Sequence, residues 1–269
     1  MLPRDIILVR HGQSEGNVAT EASKMGDNRH FTEAFRNRHS REFRLTDLGI
    51  QQAKAAGDWI RKNVPFSFNS FYVSDYIRAK ETAVHLGLPN AKWKEEFHLR
   101  ERDRALADNI PRDEERALFP MEQKQYGIDP FLSVPAGGGE SFASFCLRLK
   151  AGFIEHLSRQ PPKSAMVVVS HGHGMRGLQL EFENLSHDDF IRLDRSDVPS
   201  EKMNNCQILW YTRRDPNNPM VTSERLLAVR SVCPWKEDGD YGWRYIERKL
   251  STNEDLLEEV SRYSRFVNG

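Results

Sequence analysis

The sequence predicts a three-layer α/β/α fold built on a mostly parallel central sheet. Three observations carry that expectation. Short, continuous β-branched runs such as Ile6–Val9 and Ala165–Val169 suit strands covered on both faces. Segments with apolar residues at helical spacing lie between them, and strands alternating with helices favour a parallel sheet. Residues with chemistry, Arg10-His11-Gly12 and Ser170-His171-Gly172-His173, follow two of the strongest runs, where open α/β sheets bind their ligands.

In chain order, Ile6–Val9 is the first expected strand. Thr46 is placed to cap a helix from Leu48 to Lys62, with Ile50, Ala53, Ala56 and Ile60 near helical spacing. Ser70–Val73 reads as a second strand, and Ala79–Leu86 as a short helix ending at Gly87. Ser141 opens a helix through about Leu157, which stops before Pro161-Pro162. Ala165–Val169 is the clearest strand, followed by a helix over Met175–Phe182. Gln207–Tyr211 and Leu226–Val229 are further strands, and Asn253–Phe266 reads as an amphipathic helix. Two polar stretches, 20–44 and 102–136, interrupt this alternation. Loops of that length carry lids or helices of their own. Neither builds a second core, so residues 1–269 are expected to form one domain with two lid-like insertions.

The chain has 269 residues with 39 Lys and Arg against 39 Asp and Glu. A formal charge of zero argues against binding nucleic acid or an anionic membrane. Three widely spaced cysteines, Cys146, Cys206 and Cys233, make neither a disulfide framework nor a thiolate metal site. Cys233-Pro234-Trp235 reads as exposed. The apolar run at the N-terminus ends at Arg10, too early for a secretory leader, and no stretch reaches membrane-spanning length. The expectation is a cytoplasmic protein.

The candidate chemistry lies in two histidines, two arginines and a carboxylate. His11 and His171 each precede a glycine after a strand. Arg10 precedes His11, Arg78 follows the strand Ser70–Val73, and Glu101 follows Leu99-Arg100. Phosphoryl transfer needs such a set. Arginine forks grip the anionic oxygens, a neutral imidazole is a nucleophile near neutral pH, and a carboxylic acid protonates the leaving oxygen. His171-x-His173 has no third metal ligand at recognisable spacing. Gly137-Gly138-Gly139 is not followed by the Lys-Ser/Thr of a nucleotide P-loop, and reads as a flexible approach to the Ser141 helix.

An ordered series of motifs carries a family resemblance. It comprises Arg10-His11-Gly12-Gln13-Ser14 with Asn17, Leu45-Thr46-Asp47-Leu48-Gly49, Ser74-Asp75-Tyr76-Ile77-Arg78-Ala79, Leu99-Arg100-Glu101, Gly138-Gly139-Glu140-Ser141 and Val169-Ser170-His171-Gly172. Over roughly residues 5–180 the chain resembles the histidine phosphatase superfamily, in its phosphoglycerate-mutase-like branch. The resemblance implies a metal-independent phosphomonoesterase without cofactor, acting on a small phosphorylated substrate. His11 would form a phosphohistidine. Arg10, Arg78 and His171 would surround the phosphoryl oxygens, and Glu101 would donate the proton. Ser14, Asn17 and Gly172 would lie near the phosphate.

Three departures leave alternatives open. Asp75 stands where the family usually has Pro, and either caps the following helix or pairs with Arg78. The usual Gly and Trp pattern is missing after Glu101, which makes Asp103 and Glu95 rival acids. Gly16-Asn17-Val18-Ala19 replaces the Trp-Asn of the mutases. A phosphomutase using the same residues, and a non-catalytic phospho-ligand-binding module, are therefore the competing functions. The Arg- and His-rich stretch 20–44 is either a solvated loop or a substrate-facing lid. The substrate and the oligomeric state do not follow from the motifs.

Overall fold

The computed structural model describes residues 1–267. Its strands are β1 (Asp5–Arg10), β2 (Ser70–Val73), β3 (Trp93–Glu95), β4 (Ala165–Ser170), β5 (Ile208–Thr212), β6 (Ala228–Val232) and β7 (Asp240–Tyr245). They form one sheet in the order β3-β2-β4-β1-β5-β6-β7. β3, β2, β4 and β1 pair in parallel, whereas β5, β6 and β7 extend the sheet by antiparallel pairings. The three-layer fold expected from the sequence is present, with an antiparallel extension along one edge.

The double burial of β1 and β4 follows from strand periodicity. Ile6, Leu8, Met166 and Val168 enter one apolar cluster; Ile7, Val9, Val167 and Val169 enter the other. Successive side chains of a strand point to opposite faces, so a run with no polar member needs a layer on each side. Phe142, Phe145, Phe153, Met175 and Leu178, from the segment 142–158 and the helix Gly172–Glu183, cover the first face. Ala53, Ala56, Ile60, Ala79 and Ala83, from helices Asp47–Asn63 and Ile77–His85, cover the second. The two caps expected from sequence are made: Thr46 Oγ1 accepts the Gly49 N–H at 3.1 Å, and Ser141 Oγ accepts the Ser144 N–H at 3.0 Å.

Several boundaries differ from the sequence expectation. The helix after β2 starts at Ile77, two residues early. Asp75 neither caps it nor pairs with Arg78; its carboxylate binds Arg100, with a contact of 2.6 Å. β6 begins at Ala228 rather than Leu226, because Leu227 is spent on the approach, donating its N–H to Thr212 O at 2.7 Å. β3 and β7 were not expected: one is three residues long, and the other contains Asp240 and Gly242 at an exposed edge. The helix starting at Asn253 ends at Ser261 instead of Phe266, and no residue in it is buried. Cys233 is buried, not exposed.

One close approach fixes the loop after β1. A Cβ on Gly12 would stand 2.4 Å from Gly49 O, and one on Gly49 would stand 2.1 Å from Gln13 O. The backbone carrying His11 therefore lies directly against the first turn of the helix Asp47–Asn63, with no room for a methyl group. Neither backbone can yield without moving a whole element. Gly49→Ala is expected to destabilise the fold by about 2–3 kcal/mol, lowering the melting temperature by roughly 5 °C or more. Thermal unfolding of the purified variant checks this, and a shift within 1 °C of the parent would contradict the packing described.

Candidate active site

The parallel register of β1 and β4 brings the two histidines together. Arg10 lies opposite Ser170, so His11 and His171 are the next residues on neighbouring strands. The His11 N–H donates to Ser170 O at 2.9 Å, which continues the ladder one step beyond the strands. Their ring centroids are 5.1 Å apart in an edge-on arrangement. β2 ends beside β4 on its other side, and places Ser74 Oγ 2.8 Å from His171 Nε2.

His11 is held in a defined tautomer. Its Nδ1 donates to Gly12 O at 2.7 Å, which leaves Nε2 with the lone pair. Arg78 Nε donates to that Nε2 at 3.2 Å, and Arg78 Nη1 donates to Ser40 O at 2.7 Å. The Arg78 guanidinium also stacks over the Tyr76 ring at 4.8 Å. Thr82 ties the two elements together, accepting the Gly12 N–H at 3.0 Å and donating to Arg78 O at 2.7 Å. Arg10 extends one guanidinium nitrogen to Met203 O, while its buried Nε has no partner among the described residues.

Burial pushes both imidazoles well below the usual histidine range, and the Arg78 charge pushes them further. Both rings are therefore neutral near pH 7. Burial also lowers Arg10 and Arg78, partly offset by the Glu101 carboxylate nearby. Burial alone would raise Glu101; His173, His171 and the Arg102 N–H outweigh it and hold the carboxyl well below its ordinary value. That N–H donates to Glu101 Oε1 at 2.9 Å, and His173 Nδ1 lies 3.5 Å from the same oxygen.

These groups share one large cavity of about 1480 Å³. Thirteen Arg and Lys side chains line it against seven Asp and Glu, although the whole chain is neutral. Cations are thus gathered around one space, which gives it a positive field. Arg102 is the clearest sign: it is 9% exposed, and among the described residues its Nε has no hydrogen-bond partner and no carboxylate pairs with it.

The eight residues implied by the family resemblance line this cavity or border it. Arg10, His11, Arg78, Glu101 and Gly172 face it, and His171 lies buried beneath, stacked edge-on with His11 and Tyr76. Gly172 opens the helix Gly172–Glu183, and a Cβ there would stand 3.5 Å from Arg10 Nε. Ser14 and Asn17 also face the cavity, as the two halves of a capping box on the helix Glu15–Lys24. Of the rival acids, Asp103 lines the cavity, while Glu95 does not and pairs with Lys80 at 2.8 Å.

The sequence reading missed three participants. Asn205 donates to His11 O at 3.1 Å and to Asn17 Oδ1 at 3.0 Å, tying the loop before β5 to the loop after β1. Its neighbours carry no motif, so only the fold reveals it. Arg102 reads in sequence as one more charge in a polar stretch. His173 reads in sequence only as half of a His-x-His pair without a third metal ligand, yet it stands beside Glu101. Among the described residues, no group of three His, Cys, Asp or Glu side chains is arranged to hold a metal ion.

The stretch 20–44 does not lie free in solvent. Phe31, Phe35 and Phe43 form an aromatic group beside the cavity, with Phe35 and Phe43 stacked at 4.4 Å. Arg36 pairs with Glu114 at 2.8 Å and Asn28 Nδ2 donates to Asp113 at 3.0 Å, so this insertion is bonded to the other one. Both carry short helices, at Glu33–Arg36, Arg112–Leu118 and Pro120–Ile128.

Two buried histidines thus stand among arginines at the ends of parallel strands in an α/β fold. Residues 6–200 match the family model of the histidine phosphatase superfamily, branch 1, and the chain belongs to that superfamily. A 2,3-bisphosphoglycerate-dependent phosphoglycerate mutase of Brucella melitensis is 29% identical over 199 residues, covering 71% of this chain and 87% of that protein. Among solved structures, a mycobacterial glucosyl-3-phosphoglycerate phosphatase matches with a TM-score of 0.60 and 22% identity, over 83% of this chain and 96% of that one. The alpha-ribazole phosphatase of Shigella flexneri matches with a TM-score of 0.61 and 17% identity, over 82% and 95%. These structures share the fold. Among the described residues no helix is long and apolar enough to cross a membrane.

The buried imidazoles make stability depend on pH. Their folded pKa values lie below the ordinary 6.5 of the unfolded chain. The unfolded state therefore binds more protons once the pH falls below about 6.5, and the stability from the neutral rings is lost from there downward. The melting temperature of the ligand-free protein is expected to fall between about pH 7 and pH 5. The fall should be shallower in His171→Gln, and equal slopes in the two proteins would refute the assignment of neutral buried rings.

Proposed function

We propose that the protein is a metal-independent phosphomonoesterase that works through a phosphohistidine on His11. The observation that carries this reading is the bond from His11 Nδ1 to Gly12 O. It turns the lone pair of a neutral Nε2 toward Arg78 at the cavity floor. An arriving phosphoryl group takes over the donors of Arg78 and the unpartnered Nε of Arg10, which relieves two buried cations. His11 Nε2 then attacks phosphorus in line, and the bond to the ester oxygen breaks. Glu101 protonates that oxygen, and in the second half-reaction takes a proton from the attacking water.

The depressed pKa of Glu101 suits the second role directly, since its carboxylate is ready as a base. For the first role the proton has to be present in the complex. A phosphate ester has its second ionisation near pH 6, so the monoanion carries that proton, and the dianion left behind favours protonated Glu101. Ser14, Asn17 and Gly172 border the phosphate position, where the N-terminus of the helix Gly172–Glu183 adds its dipole.

A phosphomutase is the second reading, favoured by the name of the Brucella relative. A mutase has to keep water from the phosphohistidine and return the group to another hydroxyl. The cavity of about 1480 Å³ leaves room for water beside the substrate, which favours hydrolysis. The site residues kept intact argue for chemistry over a purely ligand-binding role.

Phosphate release from 4-nitrophenyl phosphate with chelator present tests both. The wild type is expected to release phosphate with no bisphosphate primer. His11→Ala should lose roughly a thousandfold or more in kcat, about 4 kcal/mol of transition-state stabilisation. Equal turnover by the two proteins would overturn the role of His11. Transfer that depends on a bisphosphate primer, without release, would support the mutase.

A further inference from the structure

We infer that His173 is a positioning residue for Glu101, fixing Oε2 as the oxygen that holds and delivers the proton. The inference rests on the phosphatase reading above and adds a residue outside the family motifs quoted for this chain. Its basis is how the two oxygens of one carboxyl are treated differently. Oε1 accepts the Arg102 N–H at 2.9 Å and faces His173 Nδ1 at 3.5 Å. Oε2 has no hydrogen-bond partner among the described residues, and the side chain is 21% exposed on the cavity.

A carboxyl oxygen already facing two N–H donors is a poor place for a proton, since protonation there would set three hydrogens against one atom. The proton goes to the other oxygen. Arg102 supplies its share of this clamp through the backbone, which no side-chain substitution removes. His173 supplies the other share through a side chain, in the Nδ1–H form.

The histidine packs its ring against the core on one side, with its side chain 36% exposed. It is the second residue of the helix Gly172–Glu183, one position beyond the loop that carries His171. Its ring meets Phe142 edge-on at 5.8 Å, and Phe142, fully buried, stacks on Phe190 at 4.0 Å. The position of Glu101 is thereby referred to the apolar core through one imidazole. This matters because Glu101 lies between two irregular segments, after the short helical turn Phe97–Leu99 and before the turn Ala105–Ala107, with no regular element of its own.

Proton accounting is the same as in the proposed reaction. In the first step the N–P bond to His11 forms, the P–O bond breaks, and the Oε2 proton moves to the leaving oxygen. In the second the water O–P bond forms, the N–P bond breaks, and the water proton moves to Oε2. His173 neither gains nor loses a proton in either step.

The test measures kcat/KM on a series of aryl phosphates whose leaving phenols span a pKa of about 7 to 10, for wild type, His173→Ala, His173→Asn and Glu101→Gln. Thermal unfolding establishes that each variant is folded. His173→Ala is expected to lose about threefold with the most acidic phenol, which needs little protonation, and about thirtyfold or more with the least acidic. The dependence on leaving-group pKa should steepen toward that of Glu101→Gln. His173→Asn, whose amide N–H can occupy the Nδ1 position, should recover most of the loss. Equal losses across the series in His173→Ala, or no recovery in His173→Asn, would overturn the positioning role while leaving the phosphatase reading intact. A wild type that releases no phosphate from any ester would overturn both.

Discussion

The parallel pairing of β1 with β4 is the constraint on which the site depends. Its register sets Arg10 opposite Ser170 and so brings His11 and His171 side by side as the chains leave the sheet. Neither histidine could be shifted alone: slipping one strand by a single residue would turn its alternate apolar residues to the wrong layer. The core therefore enforces the geometry of the site. Ile6, Leu8, Met166 and Val168 on one face and Ile7, Val9, Val167 and Val169 on the other lock the register. β2 completes it by carrying Ser74 to His171, and the helix that follows carries Arg78 to His11.

Electrostatics give that geometry its chemical character. Removing an arginine from water without a carboxylate partner is costly, and the cavity holds several such groups around one space. Arg78 spends its donors on His11 and a backbone carbonyl, and the Nε atoms of Arg10 and Arg102 have no partner among the described residues. Burial, reinforced by the same charges, keeps His11 and His171 unprotonated, so the cationic surroundings and the neutral imidazoles go together. Glu101 is the counterweight. It sits close enough to raise the pKa of Arg10, Arg78 and His171, and is itself held ionised by its neighbours.

The two insertions add a further layer. Each is too polar to build a core, and they are held by contacts to one another: Arg36 to Glu114, Asn28 to Asp113, and Asn109 to Arg38 O. Exposed ion pairs of this kind contribute little individually. The aromatic group Phe31, Phe35 and Phe43 supplies the apolar contact that anchors the first insertion beside the site. This part of the cavity wall is thus made from the segments least regular in sequence.

Strand and helix periodicity, two capping residues and the ordered motifs were enough to determine the three-layer fold and the parallel half of the sheet, and they single out His11, Arg10, Arg78, His171 and Glu101, which the fold brings to one cavity. These are local signals. Apolar runs show their burial directly, and residues after a strand necessarily lie at its end. Contacts between segments far apart in sequence were decided only by tertiary structure. Asp75 turned to Arg100 because the loop before Glu101 passes β2, and Asn205 reached His11 because β5 pairs beside β1. Arg102 became an orphaned buried cation, and His173 a neighbour of Glu101, only once the chain had folded around them. A side chain's partners depend on which surfaces meet, and the spacing of a single polar residue carries no trace of that.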